Sequence, residues 1–240
     1  MRQRSCVVLV VLISGLATCG SIVGRSLAAD RPKTPPDDSV SLFNGKDFTG
    51  WEGEMEWWTV EDGAMTWTTT AEKPCKRATY LFWTGGKPGD FELSLKFRVV
   101  GGNTGVNYRS KKLPDWDIEG YQADIDAANR YTGILYEVNE RKIMNQRGER
   151  LEIAPDGTKQ VTKFADADEL AQGIKPGEWN EMVIVARGPE LIHKINGVTV
   201  SHAIDRDREH ADSEGLIALQ VHPGPPSRVQ FKDMKMKVLP

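Results

Sequence analysis

The sequence predicts an all-β fold, a sandwich or a jelly roll, on two observations. Many short stretches alternate apolar and polar residues, and turns containing glycine or proline separate them. Helical periodicity is almost absent, with one short helix expected over residues 166–172. Many short strands with frequent turns and few helices are typical of packed β-sheets.

The first 29 residues have the pattern of a secretory signal peptide. A basic start, MRQR, precedes an apolar run over residues 6–17, and small residues end at Ala29. The run is too short to favour a transmembrane helix, so we expect no membrane span after processing and a secreted or periplasmic protein. As an alternative, the stretch that ends at Cys19 resembles a lipoprotein box, although Thr18 fits the position before that cysteine poorly.

Composition excludes several classes of protein. The net charge is −3 at pH 7 and the basic residues are not clustered, so no nucleic-acid partner is expected. Cys6 and Cys19 lie in the predicted leader, which leaves Cys75 alone and predicts a buried structural thiol without a disulfide. The sequence has no nucleophile elbow, zinc-type Cys/His spacing or phosphate-binding glycine loop.

The mature chain divides into a linker and one domain. Residues 30–40 are proline-rich and charged, which predicts a linker, and residues 41–240 are predicted to form the sandwich. Four tryptophans crowd its first strands; such rings stack on sugars or anchor cores, and we expect most of them in the core. The apolar positions expected to face inward are Phe91, Leu93, Leu95, Phe97, Val99, Ile217, Leu219 and Val221.

Later segments carry more local patterns. Residues 142–162 are polar and rich in turn residues, which predicts a loop or a marginal hairpin. Asn196-Gly197 between apolar runs predicts a two-residue hairpin turn, and His193 shares a face with apolar residues, so it is expected to be packed or at an edge. Residues 205–214 form a charged loop; calcium is an alternative there, but the spacing matches no calcium loop and favours solvated acids.

Three predicted strands place polar pairs beside an apolar face. Successive side chains in a strand point to opposite faces. The pairs that share a face are Asn107 with Arg109, Gln122 with Asp124, and Gln220 with His222. If these faces meet in one sheet, they form a sugar-sized polar surface with a base. Periodicity alone favours the alternative, that they are the solvated faces of ordinary antiparallel strands.

Nine segments in order resemble one known family. They are SLFNGKDFTGW at 41–51, GDFELSLKFR at 89–98, GNTGVNYR at 102–109, GYQADI at 120–125, TGILYE at 132–137, PGEWN at 176–180, INGV at 195–198, GLIALQVH at 215–222 and VQFKDMKMKVL at 229–239. Over almost the whole mature chain the sequence resembles the 3-keto-disaccharide hydrolase domain family. The resemblance implies a concanavalin A-like jelly-roll β-sandwich that acts on a carbohydrate substrate.

The family resemblance also implies a reaction that does not need the paired carboxylates of ordinary glycosidases. The ketone of a 3-keto-glycoside acidifies the C2 proton, a base removes it, the enolate expels the C1 substituent, and water adds back. Asp124 and His222 are the candidate bases, and Arg109 is the candidate stabiliser of the enolate oxygen. The candidate substrate-binding residues are Asn107, Gln122, Gln220 and Glu137.

Four points stay open in the sequence. A divalent metal bound by His222 and a carboxylate is an alternative electrophile. Many family members carry a glutamate two residues before the central glutamine, whereas this chain has Gly120 there, with Glu119 before it and Asp124 after it. A non-catalytic carbohydrate-binding sandwich is the alternative function, and the sequence does not set the oligomeric state.

Overall fold

Two β-sheets packed face to face make up the fold in the computed structural model, which describes residues 38–240. The strands of this part of the chain are β1 Val40–Ser41, β2 Trp51–Glu52, β3 Trp58–Glu61, β4 Ala64–Thr69, β5 Thr79–Trp83, β6 Phe91–Val100, β7 Asn103–Lys112, β8 Ile118–Asp126, β9 Leu135–Val138, β10 Lys142–Asn145, β11 Glu149–Ile153, β12 Lys159–Lys163, β13 Asn180–Arg187, β14 Glu190–Ile195, β15 Val198–Asp205, β16 Leu216–Val221 and β17 Ser227–Val238. The helix α1 spans Ala167–Gln172, and short 3₁₀ turns span Met55–Trp57 and Pro114–Trp116.

The strand order is that of a jelly-roll sandwich. Among the described strands, the larger sheet has the order β12-β11-β15-β14-β13-β6-β17-β4-β3, with β1 also paired to β17. The smaller sheet has the order β10-β9-β8-β7-β16-β5-β2. Neighbouring strands are antiparallel apart from β11 and β15, which run parallel. The predicted all-β, concanavalin A-like sandwich is confirmed.

The core lies between the sheets because each sheet presents one apolar face to the other. Every side chain predicted to face inward from β6 and β16 is at most 5% exposed and belongs to one cluster. Trp51, Trp58 and Trp67 are buried in the same cluster and Trp57 packs against it, which confirms the expectation for most of the four tryptophans. Burial of each large apolar side chain stabilises the fold by about 1.5–3 kcal/mol.

Several local predictions are also confirmed. Asn196 and Gly197 have φ of +49° and +81° and join β14 to β15, as a two-residue hairpin turn requires. The side chain of Asp166 caps the N-terminus of α1 by accepting hydrogen bonds from the backbone N–H groups of Asp168 and Glu169. His193 is packed, and the Cys75 thiol is buried, with its pKa raised by that burial.

Two segments are more ordered than their composition predicts. Residues 142–162 contribute β10, β11 and part of β12, because Leu151 and Ile153 bury fully while β11 pairs with the distant β15. In the charged loop, the solvated interpretation is wrong for Asp205 and Asp207, which are buried and form ion pairs with Arg141. Both outcomes depend on partners far away in the sequence.

The beginning of the chain is only partly described. The predicted signal peptide and most of the predicted linker lie outside residues 38–240, and Val40, the last linker residue, begins β1. Within the described range, we find no helix with the length and apolar character needed to cross a membrane.

Candidate active site

A cavity opens on the outer face of the smaller sheet, the face turned away from the core. Its volume is about 560 Å³, within the range of roughly 300–1,000 Å³ that is usual for small-molecule sites. Gln122 and Asp124 enter it from β8, Gln220 from β16, and His222 from just beyond the end of β16. The structure therefore brings together the polar pairs predicted on these two strands.

Strand register places three amide side chains of the smaller sheet next to one another. Asn107 on β7 is the Cα partner of Gln122 on one side and of Ala218 on the other. Gln220 follows Ala218 at the next position on the same face of β16. Neighbouring strands lie about 4.8 Å apart, so the three amides are neighbours. Gln122 and Gln220 form the polar floor of the cavity. Asn107 is fully buried and does not line the cavity, so its predicted substrate-binding position is wrong.

All three amides are buried but incompletely hydrogen-bonded. Neither amide atom of Asn107 has a partner within residues 38–240, and the side chain is fully buried. Gln122 and Gln220 each donate one bond through Nε2, whereas each Oε1 has no partner in that range. An unsatisfied buried polar group costs about 1–3 kcal/mol. The floor thus offers donors and acceptors that a hydroxyl-bearing ligand would satisfy.

Asp124 is the titratable group of the floor. It is 7% exposed, and it accepts hydrogen bonds from Asn103 Nδ2 at 2.6 Å and from Gln122 Nε2 at 3.3 Å. Burial raises the pKa of Asp124 to about 7; the Asn103 bond opposes this rise and the nearby Asp126 adds to it. A carboxyl group that titrates near neutral pH inside a cavity is a candidate acid or base.

The neighbouring Asp126 has a different environment, although it also lines the cavity. Its carboxylate accepts backbone N–H bonds from Arg130, Tyr131 and Thr132. These bonds hold the loop between β8 and β9 in place. Asp126 therefore has a structural role that Asp124 does not have.

Two further groups at the cavity have their protonation set by burial. His222 is half-buried, and this burial lowers its pKa, so that the imidazole is neutral at pH 7. Tyr80 on β5 is buried, accepts a bond from Gln220 Nε2 at 2.9 Å, and has its pKa raised by burial. Its hydroxyl therefore stays protonated.

Two glycines are required by close approaches around the floor. A Cβ on Gly105 would lie 2.4 Å from Cδ of Gln122, so this glycine lets the Gln122 side chain cross β7. Gly120 has φ of +129°, and a Cβ there would lie 2.8 Å from the Cα of Ser110. The position at which many family members carry glutamate therefore has no room for a side chain in this chain.

Arg109 does not reach the cavity, and the prediction that it shares a face with Asn107 is wrong. The register of β7 against β8 shifts between Tyr108 and Lys111, and Arg109 sits in this bulge with φ of +47°. A bulge adds one residue and reverses the alternation. The guanidinium is buried instead, where it donates to the carbonyls of Gly89 and Gly188 and to Asp90 Oδ1.

Glu137 is also absent from the cavity. Its Cα partner is Tyr121, whose ring lies in the core, so Glu137 faces inward as well. It is fully buried and accepts a bond from Arg141 Nη2 at 2.7 Å. The same guanidinium binds Asp205 Oδ2 at 2.7 Å. The structure therefore gives Glu137 an ion-pairing position and not a substrate-binding one.

The donors at the cavity do not form a metal centre. Within residues 38–240, no group of three or more His, Cys, Asp or Glu side chains is placed to hold a metal ion. His222 and Asp124 line the cavity without a third such ligand placed to join them. The divalent metal that the resemblance left open does not fit this donor set.

Three further residues contribute to the site and were not predicted from the sequence. Asn103 has the same parity as Asn107 on β7, so the alternation could have identified it. Tyr80 and Tyr136 line the cavity from β5 and β9, but their strands carry no polar pair that would mark an outer face.

Replacing Arg109 by methionine tests its revised position. We expect Arg109→Met to lower the free energy of unfolding by about 1.5–3 kcal/mol, because bonds made by a buried charged donor are lost. The measurement is urea denaturation, with Arg228→Met as the control. Arg228 forms a more exposed pair with Glu61, for which a loss of about 0–1 kcal/mol is expected. Equal unfolding midpoints for the Arg109 variant and the wild type would contradict this position.

Comparison with known proteins places the chain among carbohydrate-related β-sandwiches. Residues 38–237 match the family model described as the 3-keto-alpha-glucoside-1,2-lyase-like domain, and the chain belongs to this family. The resemblance found in the sequence is confirmed. A comparison with curated proteins found no match.

Solved structures of similar fold come from several bacterial proteins. A candidate glycosyl hydrolase from Parabacteroides distasonis ATCC 8503 has a TM-score of 0.56 at 19% identity, covering 84% of this chain and 99% of that one. The carbohydrate-binding module CBM66 from Bacillus subtilis has a TM-score of 0.52 at 16% identity, covering 80% and 98%. A Bacillus subtilis protein of unknown function with a galectin-like fold has a TM-score of 0.52 at 9% identity, covering 83% and 94%. At these identities the likeness shows the fold.

Proposed function

We propose that the protein cleaves 3-keto-glycosides by removing the C2 proton, eliminating the C1 substituent and hydrating the product. The observation that carries this proposal is the buried Asp124, which titrates near neutral pH beside two glutamines whose Oε1 atoms have no partner in the described range. Membership of the family supports the substrate class. A ketone at C3 makes the C2 proton acidic enough for a carboxylate to remove.

The first step is the transfer of the C2 proton to Asp124. The C2–H bond breaks, and its electron pair forms an enolate across C2, C3 and the ketone oxygen. A base works best when its pKa lies near the working pH, and that of Asp124 is about 7. The hydroxyl of Tyr80 lines the cavity and stays protonated, because burial raises its pKa. We assign this hydroxyl to the enolate oxygen, the role predicted for Arg109.

The second step breaks the glycosidic bond. The enolate re-forms the C3 ketone, a C1=C2 double bond forms, and the C1–O bond breaks. The leaving oxygen takes the proton held by Asp124, so the products are the free alcohol and a 2-hydroxy-3-keto-glycal. The unpartnered Oε1 atoms of Gln122 and Gln220 accept bonds from the sugar hydroxyls during this step.

Hydration completes the reaction as a net hydrolysis. Water adds its hydroxyl group at C1 and a proton at C2. His222 is neutral at pH 7 and half-buried at the cavity. We assign it as the base that takes the proton from this water.

The proposal is tested by incubation with 3-keto-lactose, 3-keto-trehalose and simple 3-keto-glucosides. We expect release of the C1 alcohol from the oxidised sugars and none from the unoxidised controls. Binding of unoxidised sugars without turnover of any keto sugar would favour the carbohydrate-binding alternative. The same amide floor supports that alternative, because its free donors and acceptors suit an unoxidised ring equally well.

The pH dependence of turnover is expected to change when Asn103 is removed. Wild-type kcat/KM should rise with pH through about 7, as Asp124 loses its proton. The Asn103 bond stabilises the carboxylate and lowers this pKa, so Asn103→Ala should move the rise to higher pH, by roughly one unit. The measurement is kcat/KM from pH 5 to 9.

A matched control removes the same kind of bond elsewhere. Asn44 Nδ2 donates to Asp47 Oδ1 at 2.8 Å in an exposed turn outside the cavity. Asn44→Ala should leave the pH profile unchanged. An unshifted profile in Asn103→Ala would show that Asp124 is not the group that controls turnover.

A further inference from the structure

The cavity extends beyond the groups that the proposed reaction uses, onto the hairpin of β9 and β10. Gln122 is the Cα partner of Tyr136, and Tyr136 is the Cα partner of Ile143. The three residues therefore form one row across the sheet, and all three line the cavity. At about 4.8 Å per strand, Tyr136 lies about 5 Å and Ile143 about 10 Å from the Gln122 position.

This end of the cavity is apolar, unlike the amide floor. Ile143 is 42% exposed and is one of the large apolar side chains that the fold leaves in solvent. Tyr136 is half-buried beside it, and Val138 lies on the same face two residues further along β9. Covering such exposed apolar surface with an apolar ligand is favourable. Tyr136, Val138 and Ile143 are called the hairpin subsite.

The polar groups that adjoin the hairpin subsite are the Lys142 side chain and the Tyr136 hydroxyl, fewer than the hydroxyls of a second sugar ring. Asn139 also lines the cavity, but its Nδ2 donates to Asp117 and to the Ile118 carbonyl. A second sugar ring bound here would bring several hydroxyls into contact with an apolar surface. Each hydroxyl that lost water without gaining a partner would weaken binding. An apolar ring would meet no such cost.

The geometry points to an apolar, ring-containing leaving group in the hairpin subsite, which makes 3-keto-glycosides of phenol-like alcohols the favoured substrates over 3-keto-disaccharides. This inference rests on the proposed function. With C2 at Asp124, the C1 substituent projects to a neighbouring position, and the hairpin subsite begins one strand away from Gln122. Tyr136 and Ile143 would then determine specificity without taking part in the proton transfer.

The experiment compares kcat and KM for phenyl 3-keto-glucoside, methyl 3-keto-glucoside and 3-keto-trehalose. We expect the wild type to prefer the phenyl substrate by roughly tenfold or more in KM, the size of effect usual for a hydrophobic pocket. KM is the deciding quantity, because the better leaving ability of phenol acts on kcat. Ile143→Asn should remove most of this preference by raising KM for the phenyl substrate while kcat stays nearly unchanged. The leaving group of methyl 3-keto-glucoside does not reach Ile143, so that substrate should change little. The second ring of 3-keto-trehalose meets the same subsite, and this substrate should lose no efficiency when the subsite becomes polar. Ile143→Val should keep the preference.

Val161→Asn serves as the matched control. Val161 is 49% exposed on β12 of the other sheet, so its replacement should leave all three substrates unaffected. Turnover of all substrates without a phenyl preference, or an equal loss on all three in Ile143→Asn, would overturn the hairpin subsite and leave the proposed function standing. Failure to turn over any of the three would overturn the proposed function, and the subsite with it.

Discussion

Asp124→Asn is expected to lower the turnover of a 3-keto-glycoside by about 10²–10⁴, the usual contribution of a general base. Asparagine has nearly the same shape but cannot take the C2 proton. The measurement is initial rate on a 3-keto-glucoside near neutral pH. Glu119→Gln is the control, because Glu119 lies on the same strand, pairs with Lys111 and does not line the cavity.

The same variant should not lose stability above neutral pH. The folded-state pKa of Asp124 is raised from 3.8 to about 7, so the fold favours the neutral carboxyl. The stability that this group contributes is complete below about pH 4 and is lost as the pH rises through about 7. At pH 8 the neutral asparagine avoids this loss, and the melting temperature should equal or exceed that of the wild type. Full activity in Asp124→Asn would remove Asp124 from the mechanism.

Leu219→Ala is expected to lower the free energy of unfolding by about 2–5 kcal/mol, the cost of a large cavity in a packed core. Leu219 is fully buried between the sheets, on β16 between β5 and β7. The measurement is urea denaturation. Val238→Ala is the control, because Val238 is 63% exposed and such surface changes usually stay within about 0.5 kcal/mol.

This stability measurement also tests the cavity floor. Gln220 follows Leu219 on β16, and successive residues of a strand face opposite sides. If Leu219→Ala left the unfolding midpoint unchanged, Leu219 would face outward and Gln220 inward. Such a result would contradict the placement of Gln220 in the cavity.

Alternation predicted the site where the strands are regular. On β8 and β16, Gln122, Asp124 and Gln220 lie on the face opposite the core, as their spacing predicts. The alternating residues of these strands are apolar and buried in the core. A slip of the strand by one residue would expose that whole apolar face, so the orientation of the polar residues is fixed. The fold class and this half of the site therefore follow from local pattern.

The errors come from interactions between segments far apart in the sequence. Arg109 lies in a bulge, and Gly215 fits against it so closely that a Cβ would lie 2.4 Å from the Arg109 carbonyl carbon. Glu137 is turned inward by a cluster that includes Arg141 and Asp205. The residues of β7 and β9 show no sequence pattern that would predict the bulge or the ion-pair cluster. Both features become visible only in the folded chain.

A substrate that carries deuterium at C2 tests the central claim most directly. Removal of the C2 proton by Asp124 requires the C2–D bond to break before the alcohol leaves, and hydration then adds a proton at C2. Mass spectrometry at early times follows the released sugar, and labelled 3-keto sugar kept without enzyme measures spontaneous exchange. Loss of the label in step with alcohol release is the expected result. Release of the alcohol with the C2 deuterium retained would contradict it.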